Sequence, residues 1–261
     1  MKLYQIDAFT DQPFKGNPAV VCLHDGSLTE QRMQEIAREV NQSESSFLEK
    51  KDGYYHLRWF TPQEEETLCG HATLAAAHAL WENGDLKFDE EAIFETRSGR
   101  LTASREGKKI VLNFPAEPTL QVLNPEELTD KLGIPVLWAG VNRLDTLVEI
   151  ESPDLLREWV PTEALVYSLG TRCLVVTCKS DGKPYDFLSR VYAHSVGTLE
   201  DPVTGSAHCF LAPYWKERLG KSNFFAYQAS DRGGELDIEV VGDRILLKGE
   251  AVTIMKLELF L

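Results

Sequence analysis

Cys69–Gly70–His71 is where residue types that do chemistry meet a backbone that can hold a ligand. The tripeptide follows a strand-like segment, Arg58–Trp59–Phe60–Thr61, that stops at Pro62, and then an acidic link. Directly after it, Ala72, Leu74, Ala75, Ala76, Ala77, Ala79 and Leu80 read as a helix whose small residues allow burial on most sides. A strand that delivers a glycine turn to the start of a buried helix leaves first-turn N–H groups pointing into a compact polar pocket. Such a pocket suits an anion. The same pattern also describes a tightly packed helix start and nothing more.

Residues 190–214 repeat the arrangement. Setting Gly205 against Gly70 places Thr204 on Cys69, Ser206 on His71 and Ala207 on Ala72. Val191–Tyr192 then takes the part of Trp59–Phe60, with a few residues inserted. The two glycines lie about 135 positions apart, close to half of the 261 residues. Duplication predicts two similar domains, and the cleft between them is the natural place for chemistry.

Three side chains stand out near these turns. Glu44 follows a helix end. There it is either a solvated cap or, in a closed cleft, a carboxyl raised by desolvation and suited to general acid/base work. His71 is either a core-edge histidine or a neutral imidazole that takes a proton at one carbon while a carboxylate returns it elsewhere. Asp201, before Pro202, either shapes a turn or orients a substrate amine or hydroxyl, or His71. Gly70–His71 and Gly205–Ser206 offer N–H groups to a substrate carboxylate, and Asn17 and Ser43 can complete the hydrogen bonds. Asp7, Arg58 and Arg190 read as structural charges.

Stepping outward, the chain carries 27 basic and 41 acidic residues, a formal charge of −14. That argues against nucleic acid or an anionic membrane surface as partner, but not against a small anion held by helix-end N–H groups. No run is long and apolar enough to span a bilayer. The N-terminus, MKLYQIDAFTD, lacks a signal-peptide core. Five cysteines, odd in number and without a CxxC pair, argue against a disulfide framework or a zinc site and fit a reducing cytoplasm. GxGxxG and GxxxxGK[ST] are absent, so nothing points to a dinucleotide or a P-loop nucleotide, and no cofactor or metal is expected.

The elements that must position these groups are short. Strands are expected near 3–9, 19–23, 46–49, 54–60, 93–96, 99–105 and 109–114, with a helix from Thr29 over 30–40 and another from about Ala72 to Asn83–Gly84. The proline-rich stretch from Pro115 to Pro125 is the best boundary. Beyond it come a short helix over 125–133, strand and turn over 139–151, a helical piece at 155–159, strands at 173–178 and 187–192, a helix over 207–219, and closing strands at 236–241, 244–248 and 252–259. The pattern is α+β, each half mostly antiparallel sheet with a central helix.

The motifs DAFTDQPFKGNPAVV, NQSESSFLE, LRWFTP, CGHATLAAAHAL and LEDPVTGSAH, spread in order across nearly the whole chain, resemble the family of the phenazine-biosynthesis isomerase PhzF, which is related to diaminopimelate epimerase. The resemblance implies two similar domains, each a sheet wrapped around a central helix: residues 1–115, joined by the C-terminal strand 252–261, and residues 116–251. It implies an active site between them and a homodimer. Matched motif by motif, Glu44 is the residue that moves the proton, with His71 and Asp201 beside it, and Asn17, Ser43, Gly70, Gly205 and Ser206 around the substrate. The related epimerases use two opposed cysteines. Here those places hold Cys69 and Thr204, so a two-thiol epimerase is not expected, and Cys69 reads as packing. The expected activity is cofactor-independent proton transfer between carbons of a small carboxylated metabolite. The alternatives are a racemase or epimerase acting at one carbon, or a non-catalytic small-molecule-binding protein.

Overall fold

Short amphipathic strands separated by turn residues, with two helices too apolar to face water, set the architecture seen in the computed structural model. It describes residues 1–182, 184–193 and 199–260. The chain divides into two compact units, Met1–Asn113 with Lys248–Leu261, and Phe114–Leu247.

In the first unit β1 (Lys2–Ala8) pairs antiparallel with β2 (Asn17–His24), and on its other edge with the strand Ala251–Glu258 from the end of the chain. Residue 261, the end of the expected strand 252–261, lies outside the described residues. From β2 the chain crosses through α1 (Glu30–Val40) to β3 (Glu44–Lys50), parallel to β2. Helix α1 starts where Thr29 accepts from the Arg32 N–H, and it stops at Asn41 in the left-handed conformation. Its face of Met33, Ile36 and Ala37 packs with Leu3, Val20, Cys22, Phe47 and Phe60. Then β4 (Tyr55–Phe60) runs antiparallel to β3, the two-residue β5 (Glu65–Glu66) pairs with β4, and α2 (Gly70–Glu82) follows. β6 (Ala92–Thr96) returns parallel to β4 and continues antiparallel into β7 (Gly99–Glu106) and β8 (Lys109–Pro115).

The second unit follows the same pairing sequence. β9 (Gln121–Leu123) and α3 (Pro125–Leu132) lead to β10 (Val136–Val141), which is antiparallel to β9 and to β11 (Asp145–Ile150). Through α4 (Pro153–Glu158) and α5 (Glu163–Tyr167) the chain reaches β12 (Cys173–Lys179), parallel to β11. β13 (Phe187–Ala193) is antiparallel to β12, the short β14 (Glu200–Asp201) pairs with β13, and α6 (Gly205–Leu219) follows. β15 (Asn223–Gln228) returns parallel to β13 and pairs antiparallel with β16 (Gly234–Val241). β17 (Arg244–Gly249) leads back to the first unit, where β18 (Ala251–Glu258) is the strand paired with β1.

Several elements differ from the sequence pattern. β9 and α5 are three and five residues long, below the length at which periodicity shows. Both α2 and α6 begin at their glycine, two residues ahead of the expected start, because the preceding Cys69 and Thr204 are extended and the glycine already has helical geometry. Arg58 and Arg190 are structural charges, as expected. Arg58 pairs with Glu65 through two bonds of 2.7 and 2.5 Å, and Arg190 with Glu200 through 2.7 and 2.8 Å. Each pair ties the long strand to the short one that precedes the buried helix. All five cysteines are free and buried. Among the described residues no helix is long and apolar enough to cross a membrane.

Candidate active site

In the first unit three chain segments converge because of strand register. Parallel pairing of β2 with β3 sets Ala19 beside Glu44, so the start of β2, with Asn17, and the start of β3, with Ser43 and Glu44, lie at one end. Helix α2 starts there too. Gly70 opens it after an extended Cys69 that gives no side-chain cap, so the first-turn N–H groups keep their donors and His71 enters the cluster.

His71 is the hub, 3% exposed. Its Nε2 lies 3.1 Å from Glu44 Oε2 and 3.4 Å from Ser43 Oγ. Its Nδ1 lies 3.1 Å from Asn17 Nδ2 and 3.5 Å from Cys69 Sγ. Ser43 Oγ reaches Asn17 Oδ1 at 3.3 Å and the Pro18 carbonyl at 3.2 Å. A neutral ring that accepts from Asn17 at Nδ1 would carry its proton on Nε2, the nitrogen that faces Glu44. Burial pulls the imidazole pKa down, but the adjoining Cys69 and Glu44 outweigh it and hold it well above the usual value. The Cys69 thiol is itself pushed up to about 11, by burial first and then by Glu44. A neutral thiol leaves Glu44 as the charge that holds the imidazolium at neutral pH. Glu44 and His71 thus form a buried carboxylate–imidazolium pair.

Glu44, Cys69 and His71 each bring a donor atom within 4.8 Å of the others, close enough to recruit a metal. Two of those contacts use opposite edges of the ring, however: Cys69 faces Nδ1 and Glu44 faces Nε2. One ion takes one imidazole nitrogen, so the arrangement fits proton relay better than a shared ligand set. Replacing Cys69 with Ala should therefore leave turnover within about threefold of wild type, because a thiol at about 11 supplies almost no thiolate at pH 7. A rate measured on the variant checks this.

In the second unit, α6 opens at Gly205 after an extended Thr204. Gln228, on β15, accepts from the Thr204 N–H at 2.8 Å, and its Nε2 donates to the Asp201 carbonyl at 2.7 Å. The Thr204 hydroxyl donates to Asp201 Oδ2 at 2.5 Å. Where a second thiol base would stand there is a hydroxyl committed to orienting Asp201. Ser206 Oγ accepts from Arg172 Nη2 at 2.9 Å. Thus Asn17, Ser43, Glu44, Gly70 and His71 gather in one unit, and Asp201, Gly205 and Ser206 in the other. Residues 194–198, part of the link ahead of Asp201, lie outside the described residues. Gln228, Arg172 and Asp145 were missed in the sequence. Each sits at or beside a strand of ordinary composition and meets its partner only through tertiary pairing.

His208, four residues beyond Thr204, is fully buried and donates from Nδ1 to the Thr204 carbonyl at 2.8 Å. In α2 Thr73 makes the matching bond to the Cys69 carbonyl at 2.5 Å. Burial drives His208 down to about 4. Its folded pKa is below the unfolded value, so between pH 6.5 and 4 the unfolded chain binds a proton that the folded chain refuses. Stability is complete above pH 6.5 and falls as pH drops toward 4, by about 3 kcal/mol from this group. His208→Gln should flatten that part of the curve, read as a smaller loss of Tm between pH 7.5 and 4.5 than in wild type.

The phenazine biosynthesis-like protein family matches residues 6–257. An uncharacterized isomerase of Halalkalibacterium halodurans is 50% identical over 260 residues, covering 99% of this chain and 98% of that one. One from Pseudomonas aeruginosa is 43% identical over 254 residues, covering 97% and 96%. The crystal structure of a phenazine biosynthesis protein PhzF family member from Enterococcus faecalis superposes with a TM-score of 0.92 at 36% identity, covering 100% of this chain and 99% of that one.

Proposed function

The chain belongs to the phenazine biosynthesis-like family, whose members include isomerases, and from that premise we propose that it moves a proton between two carbons of a small carboxylated metabolite without a cofactor. The observation that carries the reading is the buried 3.1 Å contact between Glu44 and His71. A carboxylate at that spacing from an imidazolium can take a proton from one carbon and return it to another. Burial keeps bulk water from competing for the proton. In this proposal Glu44 removes the proton and returns it, and the His71 imidazolium beside it steadies the carboxylate between the two steps. In the first unit Gly70, with Asn17 and Ser43, offers donors to the charge that develops as the proton leaves. In the second unit Asp201, Gly205 and Ser206 offer groups that can orient and hold polar atoms of a metabolite. The matching pairing order of the two units supports the finer picture of two similar domains, each wrapped around its buried helix, α2 or α6.

Hydrogen exchange at carbon tests the reading. Wild-type protein in deuterated buffer, supplied with a metabolite extract, should add one mass unit to a carboxylated compound. Exchange accompanied by inversion at a single carbon would replace isomerisation with epimerisation. An extract with no exchanged compound would turn the reading toward a binding protein.

A further inference from the structure

The second unit holds a cation that proton transfer does not use. Arg172 stands one residue before β12, and the parallel pairing of β11 with β12 brings Asp145 opposite Cys173. From there the Arg172 Nε donates to Asp145 Oδ1 at 3.0 Å and Nη2 to Asp145 Oδ2 at 2.7 Å. Asp145 is 1% exposed, so a buried carboxylate fixes the guanidinium plane through a bidentate pair. Nη2 gives its second hydrogen to Ser206 Oγ.

Two kinds of donor are left over. The Nη1 group, with two N–H bonds, meets no partner among the described residues. The Ser206 hydroxyl accepts from the arginine and so has its own hydrogen to give, which no described residue takes. The Arg172 side chain is 34% exposed, so these donors are reachable from solvent. They are also held still, which lowers the ordering cost of binding. Asp145 already neutralises the guanidinium, and Asp201 is close enough to act on it electrostatically. A place with aligned donors and little surplus charge prefers a singly charged planar carboxylate to a phosphate dianion.

We propose that Arg172 Nη1 and Ser206 Oγ together bind a metabolite's carboxylate, with Asp145 as the residue that positions the guanidinium. The proposal rests on the reading of the protein as acting on carboxylated metabolites and adds which side chain selects for them. Arg172 is then a binding residue, and Asp145 acts only through it.

The test titrates the full chain with anthranilate, benzoate and succinate, each beside its uncharged amide, and with inorganic phosphate, following thermal shift and calorimetry. At least one carboxylate should bind wild type at millimolar concentration, its amide and phosphate more weakly. Arg172→Met and Arg172→Lys should each weaken the carboxylate by at least about tenfold. Arg172→Met strands a buried Asp145, so the double variant Asp145→Leu/Arg172→Met removes the pair together and keeps the measurement on a folded protein. Carboxylate affinity unchanged in the double variant overturns the anchor. So do equal binding of acid and amide, phosphate binding as tight as carboxylate, and the absence of any carboxylate binding to wild type. Carbon–hydrogen exchange measured alongside separates the two claims. Exchange lost in Glu44→Gln with affinity unchanged in the Arg172 variants removes the anchor and leaves proton transfer standing. Full exchange in Glu44→Gln removes that role for Glu44, while the Arg172 titrations still decide the anchor.

Discussion

Glu44→Gln should lower carbon–hydrogen exchange by about a thousandfold and leave the fold intact. The amide keeps the shape of the carboxyl and still offers an oxygen to His71 Nε2, 3.1 Å away in the wild type. It cannot carry a proton, so the step from substrate carbon to enzyme has no acceptor. The same change removes the charge that opposes burial at His71, and the imidazole pKa falls. The stability sign follows. In wild type the raised pKa of His71 adds stability that is complete below pH 6.5 and is lost as pH rises through the folded value. Glu44→Gln should therefore be more destabilising at pH 6 than at pH 9. Deuterium incorporation by mass spectrometry reads the rate, and thermal unfolding at the two pH values reads the linkage. A folded Glu44→Gln protein that exchanges at the wild-type rate would rule out Glu44 as the base.

The family and the α+β class were legible because their signals are local and repeated. Gly70 and Gly205, each leading into a helix of small or apolar residues, mark themselves, and Thr29 and Asn41 bracket α1 by chemistry within a few residues. Glu44 is a different case. A glutamate after a helix end carries no local mark of function, and only the surrounding motif singled it out. The register that brings it to His71 depends on β2 and β3 pairing in parallel, a contact no short window contains. Arg172 shows the same limit more sharply. Its partners Asp145 and Ser206 are 27 and 34 residues away, and no spacing rule links them. Likewise, nothing around Gln228 announces that its amide organises Thr204 and Asp201. Residue types that could do chemistry were visible; the second layer that aims them comes from tertiary pairing.

Gly16→Ala should be the most damaging single-atom addition near the first cluster, costing about 4 kcal/mol and most of the activity. Gly16 has φ +65°, in the left-handed region, and a Cβ built there would sit 2.1 Å from the Ala8 carbonyl oxygen and 2.8 Å from Thr10 Cγ2. Neither can yield cheaply. Ala8 is in register with Asn17 at the closed end of the β1–β2 pair, and Phe14 is already held at φ +68° by its N–H to the buried Asp7 carboxylate at 2.8 Å. The turn must open, and Asn17, the next residue, moves with it. Asn17 sets the face that His71 presents to Glu44, so displacement reaches the Glu44–His71 pair through a 3.1 Å bond. A control isolates the cause. Gly53 also has positive φ, +80°, but a Cβ there meets nothing within 4 Å, so Gly53→Ala carries only the backbone strain, about 1 kcal/mol. Denaturant unfolding of the two variants separates strain from collision. Equal losses would mean that the Ala8 carbonyl yields and that the turn does not hold Asn17 in place.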